Sequence, residues 1–190
     1  MKFCSYCGAE VIIRIPANDD RERFVCISCD TIHYQNPKVI TGCIPIWNEE
    51  VLLCRRAIEP RAGYWTLPAG FMELEETTVE AALRETLEEA NARVDIQNLY
   101  VVINLPHVNQ VHMLFRSRLL DLEYSPGSES TDVKLFTEDQ IPWDDLAFGS
   151  IRQSLRFYFE DKKRGIYPLH VGDIIKEENG FIFRPGPAAD

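Results

Sequence analysis

The chain has 190 residues, 45% hydrophobic and 26% charged, which is the balance of a globular protein with a buried core and excludes a fibre or a disordered chain. Its 20 Lys and Arg against 30 Asp and Glu give a net charge of −10, so nucleic-acid phosphates are disfavoured as partners. No run of about 18 apolar residues occurs, and Cys4 arrives before a basic or apolar leader could form, so no membrane span or secretory signal is expected and a cytoplasmic location is.

The first element is set by two identical pairs, Cys4-x2-Cys7 and Cys26-x2-Cys29, separated by eighteen residues. This spacing points to a four-thiolate zinc site, with the run Val11 to Ile15 forming a short hairpin that brings the two turns together. Two disulfides are the alternative, but nothing directs secretion, and Cys43 and Cys54 lie in apolar runs as buried thiols would. Four thiolates leave no open coordination position, so this zinc would be structural and any chemistry would lie elsewhere. The expected ribbon spans residues 1–34.

From Gln35 onward the pattern becomes strand-like, at Val39 to Ile46 and Val51 to Cys54 around the turn Asn48-Glu49-Glu50. A polar loop carrying Pro60 and Gly63 leads through Trp65 to Gly70 into a helix expected from Thr77 to Ala90. Thr77-Thr78-Val79-Glu80 there has the form of a capping box. Further strands are expected at Arg93 to Leu105, Val111 to Leu122 and Asp132 to Phe136, and a last helix from the N-cap Ser150 to Gly165. Residues 166–190 are expected to drape over the core as a tail and then fray. Strands and helices mix without strict alternation, so the fold class is α+β, a sandwich of helix, mixed sheet and helix, over residues 35–165.

In the first of these helices Val79, Ala82, Leu83, Thr86, Leu87 and Ala90 share one sector, and Glu85, Glu88 and Glu89 share the opposite one. The sequence places this acidic face outward, where Arg84 would pair with Glu80 or Glu88 in an ordinary solvated helix. Just upstream, however, Gly70 permits a tight turn whose backbone carbonyl could join the acids around a cation. Hard oxygen ligands of this kind suit Mg²⁺ or Mn²⁺.

The series Gly70-x5-Glu76-x7-Arg84-Glu85-Thr86-x-Glu88-Glu89 resembles the Nudix box, G-x5-E-x7-R-E-U-x-E-E-x-G-U with U aliphatic. It departs from the box at Thr86, at Asn91 in place of Gly and at Ala92. The resemblance implies an α/β/α sandwich that hydrolyses nucleoside diphosphates linked to another moiety, using divalent cations. Glu85 and Glu89 would be the main metal-ligating carboxylates, Glu88 a further ligand or base, and the carbonyl of Ala69 or Gly70 another ligand. Glu76 and Arg84 would form an orienting ion pair, and Glu129, from a later loop, would be an additional acid.

The ribbon with His33 to Pro37 resembles the NADH pyrophosphatase branch, whose SQPWPFPxS motif is absent from Leu105 to Gln110. A similarity along almost the whole chain runs to plant-type FAD pyrophosphatases, through Tyr34 to Lys38, Leu52 to Cys54, Trp65 to Gly70, Pro126-Gly127-x-Glu129-Ser130 and Leu146 to Phe148. It implies cleavage of FAD to FMN and AMP, with ADP-ribose or NADH as alternatives, by a homodimer. Arg55, Arg56 and Arg61 are candidates for holding phosphate oxygens. Tyr64, Trp65 and Phe148, with Phe71 and Trp143 nearby, are candidates for stacking on flat rings. His33, His107 and His112 have no second His at ligand spacing and receive no role. A catalytically silent regulator is the alternative of a different class. A nucleic-acid-binding ribbon is disfavoured, because Lys2, Arg14, Arg21 and Arg23 are outnumbered by Glu10, Asp19, Asp20, Glu22 and Asp30.

Overall fold

The computed structural model describes residues 1–178 and 180–186. The chain divides into two compact units, Met1–Pro37 and Lys38–Asp190. In the first, β1 (Val11–Arg14), β2 (Arg23–Cys26) and β3 (Ile32–His33) form an antiparallel sheet in the order β1-β2-β3.

The second unit is organised by β4 (Lys38–Trp47), β5 (Glu50–Arg56), β6 (Trp65–Thr66), β7 (Ala69–Phe71), β8 (Val94–Leu105), β9 (Gln110–Leu119) and β10 (Ser130–Phe136). They join β11 (His170–Glu177) and β12 (Gly180–Pro185) in one mixed sheet of order β10-β5-β4-β9-β8-β11-β12, with β6 beside β5 and β7 beside β4. Strand alternation divides its side chains between two cores. Ile44, Val51 and Leu53 face α2 (Gly149–Arg164), which contributes Ile151, Leu155, Tyr158 and Phe159. Cys43, Leu52 and Cys54 face α1 (Thr78–Ala90), which contributes Ala82 and Ala90. The result is the expected helix-sheet-helix sandwich. Among the described residues no helix is long and apolar enough to cross a membrane.

Two expectations are corrected. First, α2 is not capped by Ser150. Phe148, packed on the α2 core, is the extended N-cap residue, and Ser150 is buried within the first turn, its hydroxyl without a partner among the described residues. Second, His170–Glu177 and Gly180–Pro185 are no draped tail but the antiparallel strands β11 and β12, with β11 parallel to β8. The segment is drawn in by Ile174, which is buried in the core, and by an ionic anchor. The enclosed Asp161 carboxylate of α2 accepts from Tyr100 Oη at 2.7 Å, meets His170 Nε2 at 2.6 Å, and pairs with Arg164. Residues 187–190, where fraying was expected, lie outside the described residues.

Burial alone would push the Asp161 carboxyl up, but bonds from His170, Tyr100 and Arg164 outweigh it and hold the group below the ordinary carboxylate range. A depressed carboxyl stabilises the fold above its unfolded pKa and ceases to do so as pH falls through its folded pKa. Asp161→Asn should therefore cost about 2 kcal/mol at pH 7, with the gap to the parent narrowing below about pH 4. Thermal melts of both chains across that range check this, and a gap independent of pH would contradict it.

Candidate active site and metal centre

Helix α1 is fixed at both ends by its own sequence. Thr77 Oγ1 accepts from the Glu80 amide at 3.2 Å and Glu80 Oε2 accepts from the Thr77 amide at 2.7 Å, a reciprocal capping box. At the other end Asn91 adopts the left-handed conformation, φ 48°, and its amide donates to Leu87 O at 2.8 Å. Thr86, at an aliphatic position of the box, is enclosed and returns its hydroxyl to Ala82 O at 2.7 Å, so its polarity is satisfied within the helix.

The acidic face does not point outward as a whole. Glu89 is only 7% exposed, whereas Leu87 is 50% exposed and Val79 is also open. The reason is what covers the helix. β7 and the loop from Ser125 cover the flank carrying Glu85 and Glu89, with Glu89 Oε2 accepting from the Ala69 amide at 3.2 Å and Glu89 O accepting from the Gly127 amide at 3.0 Å. A Cβ at Gly70 would stand 2.3 Å from Glu85 Oε2, so only glycine lets this carboxylate lie against the turn. Glu88 remains largely exposed.

Arg84 ties these acids together. Its Nε and Nη2 donate to the two Glu76 oxygens at 3.0 and 2.7 Å, a bidentate pair, and Nη1 donates to Glu85 Oε1 at 2.7 Å and Glu88 Oε2 at 3.1 Å. The hydrogen bonds from Arg84 hold the Glu76 carboxyl below its ordinary range. Burial pushes Glu85 up, and it pushes Glu89 up to about 7, with the charges of Glu85 and Glu129 adding and that of Arg56 opposing. Two sequestered carboxylates of like charge, closed in by a glycine turn, make a donor set of hard oxygens that fits a divalent cation.

The structure brings Arg56 and Glu129 together where β10 pairs with β5 and leaves other candidates apart. Ser130 lies opposite Arg56 in the β10–β5 pairing, and the Ala57 amide donates to Glu129 O at 2.8 Å. Arg56 Nε donates to Pro60 O at 2.9 Å, and its guanidinium stands 5.3 Å over the Phe148 ring. Arg55 donates to Gly63 O at 2.8 Å and Arg61 stands 5.2 Å over Tyr64, so neither pairs with an acid of α1. Trp65 packs edge-on against Phe136 at 4.9 Å, and Trp143 against Phe159 at 6.4 Å, both in the α2 core. His112 is buried, its imidazole pushed down to about 4 by that burial.

In the first unit the four sulfurs of Cys4, Cys7, Cys26 and Cys29 lie within 4.8 Å of one another. The Cys4–Cys29 and Cys7–Cys26 separations are 3.8 and 3.4 Å, too long for disulfides and near the ~3.8 Å edge of a tetrahedron with ~2.3 Å metal–sulfur bonds. Amides of Tyr6 and Ser28 donate to Cys4 and Cys26 sulfurs at 3.4 Å, as expected around thiolate ligands. Sequence reasoning missed His33, whose Nε2 is 3.3 Å from Cys4 Sγ. The pairing of β3 with β2 brings it there, and no spacing rule marks it.

Residues 2–35 match a family model for a zinc ribbon, described as Nudix N-terminal, and residues 36–156 match the NUDIX domain. The NAD-capped RNA hydrolase NudC of Vibrio vulnificus is 29% identical over 75% of this chain and 53% of its own length, and that of Photorhabdus laumondii is 32% identical over 76% and 53%. The chain spans about half the length of these relatives. The crystal structure of a NUDIX hydrolase from Nitrosomonas europaea is 60% identical, covers 92% of this chain and 99% of its own, and superposes with a TM-score of 0.89.

Proposed function

This chain belongs to the Nudix family, and we propose that it hydrolyses the diphosphate linkage of a dinucleotide, using a divalent cation held by Glu85 and Glu89. The observation that carries this reading is the sequestered Glu85–Glu89 pair closed against Gly70 and Ala69. When bound, Mg²⁺ or Mn²⁺ would neutralise the diphosphate, acidify a water and stabilise charge developing at phosphorus. Arg84, clamped by Glu76, holds Glu85 and Glu88 in place. Glu88, exposed and tethered to Arg84 through Oε2, keeps Oε1 available as ligand or proton acceptor. The carbonyl of Ala69 or Gly70, and Glu129, complete the donor set in this reading. In this reading Arg55, Arg56 and Arg61 take the phosphates and Tyr64 stacks on a flat ring, while Trp65 and Phe148 pack against the α2 core. Zinc at the four cysteines is structural.

The substrate proposed is FAD, cleaved to FMN and AMP, on the similarity that runs from Tyr34 to Phe148. An NAD-linked substrate is the second reading, favoured by the names of the relatives above and opposed by the missing motif at Leu105 to Gln110. Purified protein incubated with FAD, ADP-ribose, NADH or NAD-capped RNA, each with Mg²⁺ or Mn²⁺ and a chelator control, tests both. FMN and AMP from FAD, with the others slow, is the expected result. Preference for another substrate overturns the FAD assignment, and no cleavage in any arm overturns the hydrolase reading in favour of a silent regulator.

A further inference from the structure

The 125–130 loop is attached to the last turn of α1. Its Ser125 and Gly127 amides donate to Ala90 O and Glu89 O at 2.9 and 3.0 Å, carbonyls that the helix itself leaves without partners. The approach is so close that a Cβ at Gly127 would stand 1.7 Å from Glu88 O. A third tie comes from a side chain. Asn91 Nδ2 lies 3.1 Å from Ser125 Oγ, 3.2 Å from Ser125 O and 3.3 Å from Pro126 O. Glycine at this position of the box would satisfy the left-handed backbone equally well, so the helix end alone gives no reason for an amide.

We propose that Asn91 is a positioning residue that holds the 125–130 loop on the end of α1 and thereby sets Glu129 against Glu85 and Glu89, an inference that rests on the diphosphatase reading above. Glu129 stands three residues beyond Pro126, with its carbonyl fixed by the Ala57 amide. The amide of Gly127, two residues before Glu129, donates to Glu89 O at 3.0 Å, so the loop carries Glu129 past the end of α1 that bears these acids. Loss of the Asn91 amide loosens the loop, which keeps its backbone bonds to Ala90 O and Glu89 O, without disturbing the helix, because the backbone conformation that ends the helix is one glycine adopts freely.

The test uses the full zinc-loaded chain with Asn91→Gly, Glu129→Gln and the double variant. Hydrogen exchange of the Ser125 and Gly127 amides should accelerate about fivefold in Asn91→Gly, the loss of about one hydrogen bond, while the amides of α1 are unchanged. Unchanged exchange in the loop would overturn the proposal without any reference to turnover. For activity with FAD and Mn²⁺, Asn91→Gly should lower kcat/KM about fivefold in the parent and have no further effect beside Glu129→Gln. An equal loss in both backgrounds would show that Asn91 acts elsewhere, and a fully active Glu129→Gln would leave it no acid to position. If the parent cleaves no dinucleotide, the diphosphatase reading fails, and the exchange arm still decides whether Asn91 holds the loop.

Discussion

Replacing Glu85 by Gln is expected to lower turnover of the preferred dinucleotide by about a thousandfold while leaving the fold in place. The substitution preserves shape and removes one charge from the donor set. Burial pushes the Glu85 carboxyl up, so its ionised form sits in the fold at a cost that an amide does not bear. The amide also weakens one bond of Arg84, whose bidentate grip on Glu76 persists. Stability should therefore change by no more than about 1 kcal/mol. Steady-state rates with saturating Mn²⁺, beside a thermal melt, separate the two effects. Glu88→Gln should cost less, because Glu88 is exposed and shares its charge with solvent. Turnover near that of the parent in Glu85→Gln would contradict the mechanism, and a collapsed melt would contradict the assignment of Glu85 to chemistry instead of packing.

The contrast between Glu85 and Val79 shows where sequence reasoning reaches its limit. Spacing along α1 identified the acids and the capping residues Thr77 and Glu80, because both depend on neighbours within one or two turns. It could not reveal which flank the rest of the chain would cover. That depends on β7 and on Gly127, some forty residues downstream, which bury Glu89 and leave Val79 and Leu87 open. The same distance hid β11, whose pairing partner Val101 lies 69 residues before His170. Its one buried hydrophobic side chain, Ile174, and the Asp161 anchor have no local periodicity to announce them. Asn91 was visible only as a departure from a pattern, and its contacts with Ser125 and Pro126 supply the physical reason. By contrast, the two CxxC pairs specify a site almost completely, since four sulfurs on two tight turns have few other ways to be satisfied.

Removing zinc should unfold the first unit, and Mg²⁺ should not restore it. Among the described residues of Met1–Pro37 the buried apolar side chains are Cys4, Val11, Pro16, Val25 and Cys26, whereas Phe3, Tyr6, Ile13, Ile15, Ile27 and Tyr34 are exposed. So small a core cannot offset the ordering of the chain, and a structural zinc supplies on the order of 10 kcal/mol in such modules. Amides of β1 and β2, protected in the zinc-loaded chain, should exchange at near the unfolded rate after chelation or in Cys26→Ser. Thiolates select soft and borderline metals, so added Zn²⁺ should restore protection and added Mg²⁺ should not. Protection that survives zinc removal would show that the ribbon folds without its metal. Recovery with Mg²⁺ alone would overturn the separation of a thiolate site that builds structure from a carboxylate site that does chemistry.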